Sequence, residues 1–275
     1  MPCALYPKPY TVHREPMGNL YLGTSGFSYD DWKGHFYPSK MASKDYLAFY
    51  ARHFNSLELN FSYYRMPTAD QSRQMLSKSG ERLEFVVKAH REMTHEISER
   101  SLLEATPSFL EGISPFVSAD RLGGILLQFP QSFHYDTEQR VYLKSLIESL
   151  IPNPLFVEFR QKSWLKESVY KTLREMGAGL VCVDEPALPA LIPPMAIHTA
   201  DAAYIRFHGR NSKNWYGTDA TARYDYIYTE EELRTWVPKI KTLSEQTKKL
   251  FIFFNNHAKA QAVTNTKMLI NLLNL

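Results

Sequence analysis

Cysteine is scarce in this chain: 275 residues hold two, Cys3 and Cys182. One lies near the terminus and the other inside an apolar run, so neither a disulfide framework nor a zinc-binding pair fits. Two reduced thiols point to a cytoplasmic protein. Long hydrophobic runs are missing as well. No stretch approaches the ~18 apolar residues that span a bilayer, and no basic-then-apolar signal segment opens the chain. An excess of one charge is also lacking. Lys and Arg number 32 against 29 Asp and Glu, a formal net charge of +3, too small to argue for nucleic acid or a membrane as partner. No glycine-rich phosphate fingerprint follows the first apolar run, and no HExxH motif occurs. Internal repeats, low-complexity tracts and domain linkers are absent too. The expectation is a soluble, cytoplasmic chain with no membrane partner.

What is present is apolar material arranged in a recurring way. Hydrophobic residues make up 44% of the chain, enough for a large core and against disorder. Many apolar runs end on a charged or polar residue. Leu57-Glu58-Leu59-Asn60, Phe85-Val86-Val87-Lys88 and Leu126-Leu127-Gln128 do so. Phe156-Val157-Glu158-Phe159-Arg160, Val181-Cys182-Val183-Asp184 and Phe253-Phe254-Asn255-Asn256-His257 follow the same habit. The clearest case is Tyr204-Ile205-Arg206-Phe207-His208-Gly209-Arg210. Read as a strand, it turns Ile205 and Phe207 one way and Tyr204, Arg206 and His208 the other. Polar groups gathered at one end of many strands are the mark of a (β/α)8 TIM barrel at its active face.

Taken in order, the pattern predicts strands at 21–24, 56–61, 83–88, 124–129, 155–159, 179–184, 203–208 and 250–255. These runs are continuously apolar, as suits strands buried on both faces. Helices are expected between them. Ser43 caps one over 44–53, Thr68 starts a second that ends near Gly80, and a third spans 107–117. Thr137 caps a fourth to about 150, and Ser163 or Trp164 opens a fifth that ends at Gly177. Thr229 with Glu232 forms a capping box for a long helix to about 248, and a last helix covers 258–272. Between 185 and 202, Pro186, Pro189, Pro193 and Pro194 exclude one regular helix, so an irregular segment replaces the sixth helix. The aromatic loop 25–38 is expected to fold over the barrel mouth. Residues 1–19, with Pro2, Pro7, Pro9 and Pro16, read as an irregular arm, and 20–275 as a single barrel domain. A doubly wound open sheet is the competing architecture.

The residues also resemble a known family. Gly23-Thr24-Ser25-Gly26-Phe27-Ser28-Tyr29, Trp32-Lys33-Gly34 and Phe36-Tyr37-Pro38 are similar to the opening signature of the YecE-like family, domain of unknown function 72. Phe27 stands where that family more often has Trp. The likeness continues through Glu58-Leu59-Asn60, Phe61-Ser62-Tyr63-Tyr64, Phe85-Val86-Val87-Lys88, Thr94-His95 and Leu127-Gln128-Phe129-Pro130. It runs on through Val157-Glu158-Phe159-Arg160 with Trp164, Asp184, the 204–210 stretch and 253–257. The resemblance implies a TIM barrel and supplies no reaction.

The strand ends therefore carry the functional expectation. Glu58, Glu158, Asp184 and His208 are the candidate catalytic groups. Asn60, Lys88, Gln128, Arg160, Arg206, Arg210, Asn255, Asn256 and His257 are the candidate substrate-binding groups. Glu58 and Asn60, Glu158 and Arg160, and Arg206 and His208 are each two apart, so each pair shares one side of its strand. Glu158 with Arg160 reads equally as a self-neutralising ion pair, and Arg206 as a clamp on Glu58 or Asp184. His95 beside Thr94 is a weaker candidate, and His90 weaker still. Trp32, Tyr37, Trp215 and Tyr216 read as core packing or as a stacking wall.

Three classes of function compete. One is a metal-assisted hydrolase or isomerase acting on an anionic, phosphate-bearing substrate. A divalent metal would be its cofactor, with Glu158, Asp184, His208 and His257 as candidate ligands. A phosphodiesterase on nucleic acid belongs to this class, with Arg160, Arg206 and Arg210 holding the phosphate. The second is metal-free acid–base chemistry on a small anionic or sugar-like substrate. The third is a non-catalytic binder of a phosphorylated ligand or nucleic acid.

Overall fold

The computed structural model describes residues 19–98, 100–217 and 220–275. Its strands are β1 (Leu20–Thr24), β2 (Ser56–Leu59), β3 (Glu84–Lys88), β4 (Leu122–Gln128), β5 (Leu155–Glu158), β6 (Ala178–Asp184), β7 (Ala202–Phe207) and β8 (Lys249–Phe254). All pair in parallel, in the order β1-β8-β7-β6-β5-β4-β3-β2. The two ends of that order meet at a single bridge, Ser25 with Glu58, where the Gly26 N–H donates to the Glu58 carbonyl at 2.8 Å. Gly23 permits this approach: a Cβ there would lie 2.0 Å from the Ser56 carbonyl oxygen. The result is a nearly closed (β/α)8 barrel, as the strand ends led one to expect, rather than an open doubly wound sheet.

The barrel interior is layered. Its middle is filled by rings, with Phe156 and Tyr204 centred 4.8 Å apart, Tyr204 and Phe253 5.3 Å, and Tyr21 and Phe251 4.9 Å. Such large side chains make a packed plug rather than a pore. Outside the ring, Phe207 packs on Trp236 and Phe254, so β7 has the two-faced alternation its sequence requires.

Two of the predicted helix caps, Thr68 and Thr229, hold, and the others shift; the fifth helix opens at Glu167, because Ser163 and Trp164 belong to a separate 3-10 turn, Lys162–Trp164. Thr68 caps Ala69–Lys78 in a reciprocal box with Gln71, and Thr229 with Glu232 does the same for Glu230–Arg234. That helix stops there, and Val237–Gln246 begins anew with Pro238 in its first turn. The expected single helix is thus two, because proline lacks the N–H that a continuous helix would need at that point. Asp136, not Thr137, caps Thr137–Leu150. Ser43 lies inside a 3-10 turn before Tyr46–Tyr50 and caps nothing. β2 ends at Leu59, two residues early, because Phe61–Tyr64 coils into one helical turn. The last helix is Gln261–Leu272, set off by the left-handed residues Lys259 and Ala260.

No helix spans residues 185–201. Side chains satisfy the backbone there instead. The Glu185 carboxylate accepts the Ile192 N–H at 2.9 Å. Thr199 Oγ1 donates to Ala178 O at 2.6 Å and accepts from Leu180 N at 2.8 Å. Cys182, a buried free thiol, lies against the backbone of Ile197; burial pushes it up to about 11, which suits an inert core thiol. Asn19 is the one residue of the proposed N-terminal arm among those described; Cys3 is not. Among the described residues no helix is long and apolar enough to cross a membrane.

Candidate functional site

Two charged clusters form at the C-terminal strand ends. The first sits inside the barrel on the ring plug. Arg206 donates Nη1 to Glu158 Oε2 at 2.5 Å and Nη2 to Glu58 Oε1 at 2.6 Å. Tyr204 donates its hydroxyl to the other oxygen of Glu58 at 2.6 Å. Arg160 brings Nε to 2.6 Å from Glu158 Oε1 and Nη1 to 3.2 Å from Glu185 Oε2. Glu58, Glu158 and His208 are wholly buried, and Arg206 is 2% exposed. Charges this deep require partners, and each has them. Burial would push Glu158 up, but Arg160, Arg206 and His208 outweigh it and hold the carboxyl well below its usual range.

His208 is the pivot of this cluster. Its Nε2 is 3.1 Å from Glu158 Oε1, and its Nδ1 is 3.2 Å from Asn255 Nδ2. Arg160 Nη2 also lies 3.1 Å from Nε2 and 3.4 Å from Nδ1, so the ring meets a carboxylate, an amide and a guanidinium at once. Burial and the neighbouring Arg160 push the imidazole down to about 3, against the pull of Glu158. It is a neutral ring held between fixed partners.

The second cluster lies between β6, β7 and the helices outside them. Asp184 receives four donors: Arg210 Nε at 2.8 Å and Nη2 at 2.7 Å, the Tyr228 hydroxyl at 2.8 Å and Trp236 Nε1 at 2.6 Å. That fills the lone pairs of a carboxylate. Arg210 also meets Glu232 at 3.2 Å, the same Glu232 that closes the capping box. Arg210 and Asp184 thus tie a helix start to a strand end. Asn256 belongs to this side as well, donating to Tyr226 O at 2.7 Å and Asn265 Oδ1 at 2.8 Å.

A third group is more open. Lys88, half-buried at the end of β3, donates to Gln128 Oε1 at 2.7 Å and lies over the Tyr63 ring at 4.3 Å. Burial first, then Arg206 and Arg160, push its ammonium down to about 7 against the pull of Glu158 and Glu58. His95 bonds Thr94 Oγ1 at 2.9 Å and stands edge-on to Tyr63 at 4.8 Å. Burial, Lys88 and Arg160 push it down to about 4. Asn60 follows Leu59, which pairs with Val87 beside Lys88, and its Oδ1 is buried without a hydrogen-bond partner among the described residues.

The expected residues therefore divide. Glu58, Glu158, Arg160, Arg206, His208 and Asn255 come together; Lys88, Gln128 and Asn60 gather beside them; Asp184, Arg210 and Asn256 are placed apart. His257 stacks flat on Tyr29 at 4.7 Å, and its carbonyl accepts Trp32 Nε1 at 2.7 Å. That bond lays the 25–38 loop against the end of β8. Of the expected aromatic wall, Trp32 and Tyr37 are buried packing, Trp215 covers Arg160 at 5.8 Å, and Tyr216 is exposed.

The expected metal ligands do not converge. Among the described residues no three His, Cys, Asp or Glu side chains are disposed to hold an ion. Asp184 is saturated by donors, Glu158 is shared by two arginines, and His257 is stacked away. The arginines assigned to phosphate differ from expectation too, since Arg160 and Arg206 each already face two carboxylates. The sequence reading passed over Glu185, which shares Arg160; burial raises it to about 7, against the pull of Arg160. It also passed over Tyr204 as a partner for Glu58, although Tyr204 has the same strand parity as Arg206. Large grooves occur elsewhere. One of about 320 Å³ lies between helices Thr137–Leu150 and Glu167–Glu175. Another of about 560 Å³ lies by Gly177 and Asp201, at the opposite end of the barrel.

Relatives carry the same architecture. A DUF72 family protein of Thermotoga maritima MSB8 superposes with a TM-score of 0.86 at 40% identity, covering 93% of this chain and 99% of that one. A DUF72 family protein of Enterococcus faecalis V583 gives 0.81 at 26% identity, covering 93% and 96%. UPF0759 protein YunF of Bacillus subtilis (strain 168) is 31% identical over 274 residues, 93% of this chain and 95% of its own length. The family described as "Protein of unknown function DUF72" matches residues 21–275. This chain belongs to the DUF72 family of TIM-barrel proteins.

Proposed function

We propose that the C-terminal end of the barrel is the active site of an enzyme that carries out side-chain acid–base chemistry on a small anionic substrate, with Lys88 as the group that meets it. One observation carries this reading. The charges of Arg160 and Arg206 are already balanced by Glu58 and Glu158, while burial raises Glu185, the further partner of Arg160, to about 7. Among the described residues Lys88 has no carboxylate at ion-pair distance, and its bonding partner is the neutral amide of Gln128. An ammonium in that position is left to be balanced by an incoming anion. At about 7, Lys88 also serves as proton donor or acceptor near neutral pH, where acid–base catalysis is most effective.

In this reading Glu58, Glu158, Arg206 and His208 are positioning residues. They are wholly or nearly wholly buried and form a rigid floor that holds Arg160 and sets the potential around Lys88. Rigid charges beneath a reacting group are how preorganised sites lower barriers. A phosphate group is the leading anion, and a nucleic-acid phosphodiester is the less favoured one, given the formal net charge of +3.

The test is calorimetric titration of wild type and Lys88→Met with inorganic phosphate, pyruvate and a sugar phosphate. Binding that disappears in Lys88→Met while the fold is retained supports the reading. Equal affinities in the two proteins overturn it. A non-catalytic binder rests on the same ammonium; it is favoured if binding is lost in Lys88→Met but no bound compound is turned over.

A further inference from the structure

We infer that Lys88 is a Schiff-base nucleophile, so that the anionic substrate carries an aldehyde or keto group. The inference rests on the acid–base reading above and narrows its substrate class.

Four features of the geometry point this way. The first is position. Lys88 ends β3 inside the barrel mouth, and Ser62 Oγ donates to its carbonyl at 2.6 Å, so the backbone beneath the side chain is pinned. The second is that the surroundings favour a neutral amine. The acids nearest the barrel interior are each bound to an arginine: Glu58 to Arg206, Glu158 to Arg206 and Arg160, and Glu185 to Arg160, while Asp184 outside it is bound to Arg210. Lysines stripped of a counter-charge are the ones used as nucleophiles. The third is that neutrality breaks no bond. A neutral amine still donates one N–H to Gln128 Oε1, which leaves its lone pair and second N–H for chemistry.

The fourth is that groups able to carry the protons stand beside it. Neutral His95 is anchored by Thr94 and set against the edge of Tyr63, whose face lies under the Lys88 ammonium. The imidazole offers one lone pair and one N–H. Asn60 directly follows Leu59, the register partner of Val87, and its Oδ1, buried and without a partner among the described residues, is an acceptor for a hydroxyl.

The step balances without an outside oxidant or reductant. The Nζ lone pair forms a bond to the carbonyl carbon while the C–O π pair moves to oxygen. One nitrogen proton passes through His95 to that oxygen, giving a carbinolamine whose hydroxyl meets Asn60. The C–O bond then breaks. Hydroxide takes the second nitrogen proton and departs as water, leaving the C=N bond. A proton from solvent makes the iminium, whose positive charge faces the anionic part of the substrate.

Reductive trapping tests this. Wild type is incubated at pH 7 with pyruvate and sodium cyanoborohydride, with acetone as the neutral comparator, and labelled lysines are mapped by peptide mass spectrometry. The expected result is a pyruvate adduct on Lys88 that forms roughly ten-fold or more faster than on any other lysine, because neutral amine is abundant there and rare at an ordinary lysine. Lys88→Arg removes that adduct without deleting the cation. Labelling confined to exposed lysines, or spread evenly over all of them, overturns the inference. The two levels separate cleanly. If Lys88 stays unlabelled but anion binding still depends on it, the Schiff base falls and the acid–base reading stands. If binding is also indifferent to Lys88→Met, both fall.

Discussion

Replacing Arg206 by Met removes the one cation among the described residues that is ion-paired with both Glu58 and Glu158. The guanidinium is 2% exposed and makes contacts of 2.6 and 2.5 Å to the two carboxylates. Glu158 would keep Arg160 and His208, whereas Glu58 would keep only the Tyr204 hydroxyl. Removing one partner of a buried pair costs about 3–5 kcal/mol, mostly because the other charge is stranded. At about 2–4 °C per kcal/mol for a large domain, the melting temperature should fall by roughly 6–20 °C. The double variant Glu58→Gln, Arg206→Met removes the stranded charge and should recover about 2 kcal/mol of that loss. Urea unfolding followed by tryptophan fluorescence reads both numbers. A single variant within about 1 kcal/mol of wild type, well inside the range expected of an ordinary substitution, would refute the claim that Arg206 holds the two acids. So would a double variant less stable than the single.

Other expectations follow from the same geometry. Lys88→Met should melt above wild type at pH 6. The gap should close as pH rises from about 7, where native Lys88 loses its proton, towards ~10.4, where the unfolded chain does; equal gaps at pH 6 and pH 9 would contradict it. His208 should remain a neutral ring at pH 5 in nitrogen-correlated NMR spectra. Since it titrates at about 3 in the fold against ~6.5 when free, its contribution to stability should drain away as pH falls through that interval. Tyr228→Phe takes one of the four donors from Asp184 and should cost about 1.5–3 kcal/mol. Anion affinity should be unchanged by it, and a calorimetric loss of binding in this variant would place Asp184 in the working site after all.

Much of the barrel could be read from local pattern, because burial on both faces makes each strand a short apolar run. All eight strands lie within a residue or two of expectation. The misses arose where two local signals competed. Asn60 and Phe61 continue the apolar run of β2, but Phe61–Tyr64 turns into a helix. Asp136 and Thr137 are both good caps, and the acid took the position. The site was legible in its parity, since residues two apart on one strand must share a side. Its division into clusters was not. Arg206 meets Glu58 across 148 positions, and nothing local says whether Arg210 turns inward to Glu158 or outward to Asp184. Glu185 was hidden by its neighbour, because of two adjacent acids at a strand end only one matches the parity of the strand.

The pairing of β1 with β8 links early and late parts of the chain in time as well as in space. β1 is flanked by β8, some 230 residues away, and on its other side it meets β2 at the single Glu58 bridge. A chain leaving the ribosome therefore carries β1 with an open edge until Lys249–Phe254 has been made. The same Glu58 waits for Arg206 of β7, so the acids of the interior stay in water until the far strands arrive. Long-range pairings of this kind are slow to form and leave strand edges exposed meanwhile. A chain stopped before Lys249 would lack not a decorative last strand but the partner that lets its first strand count as folded.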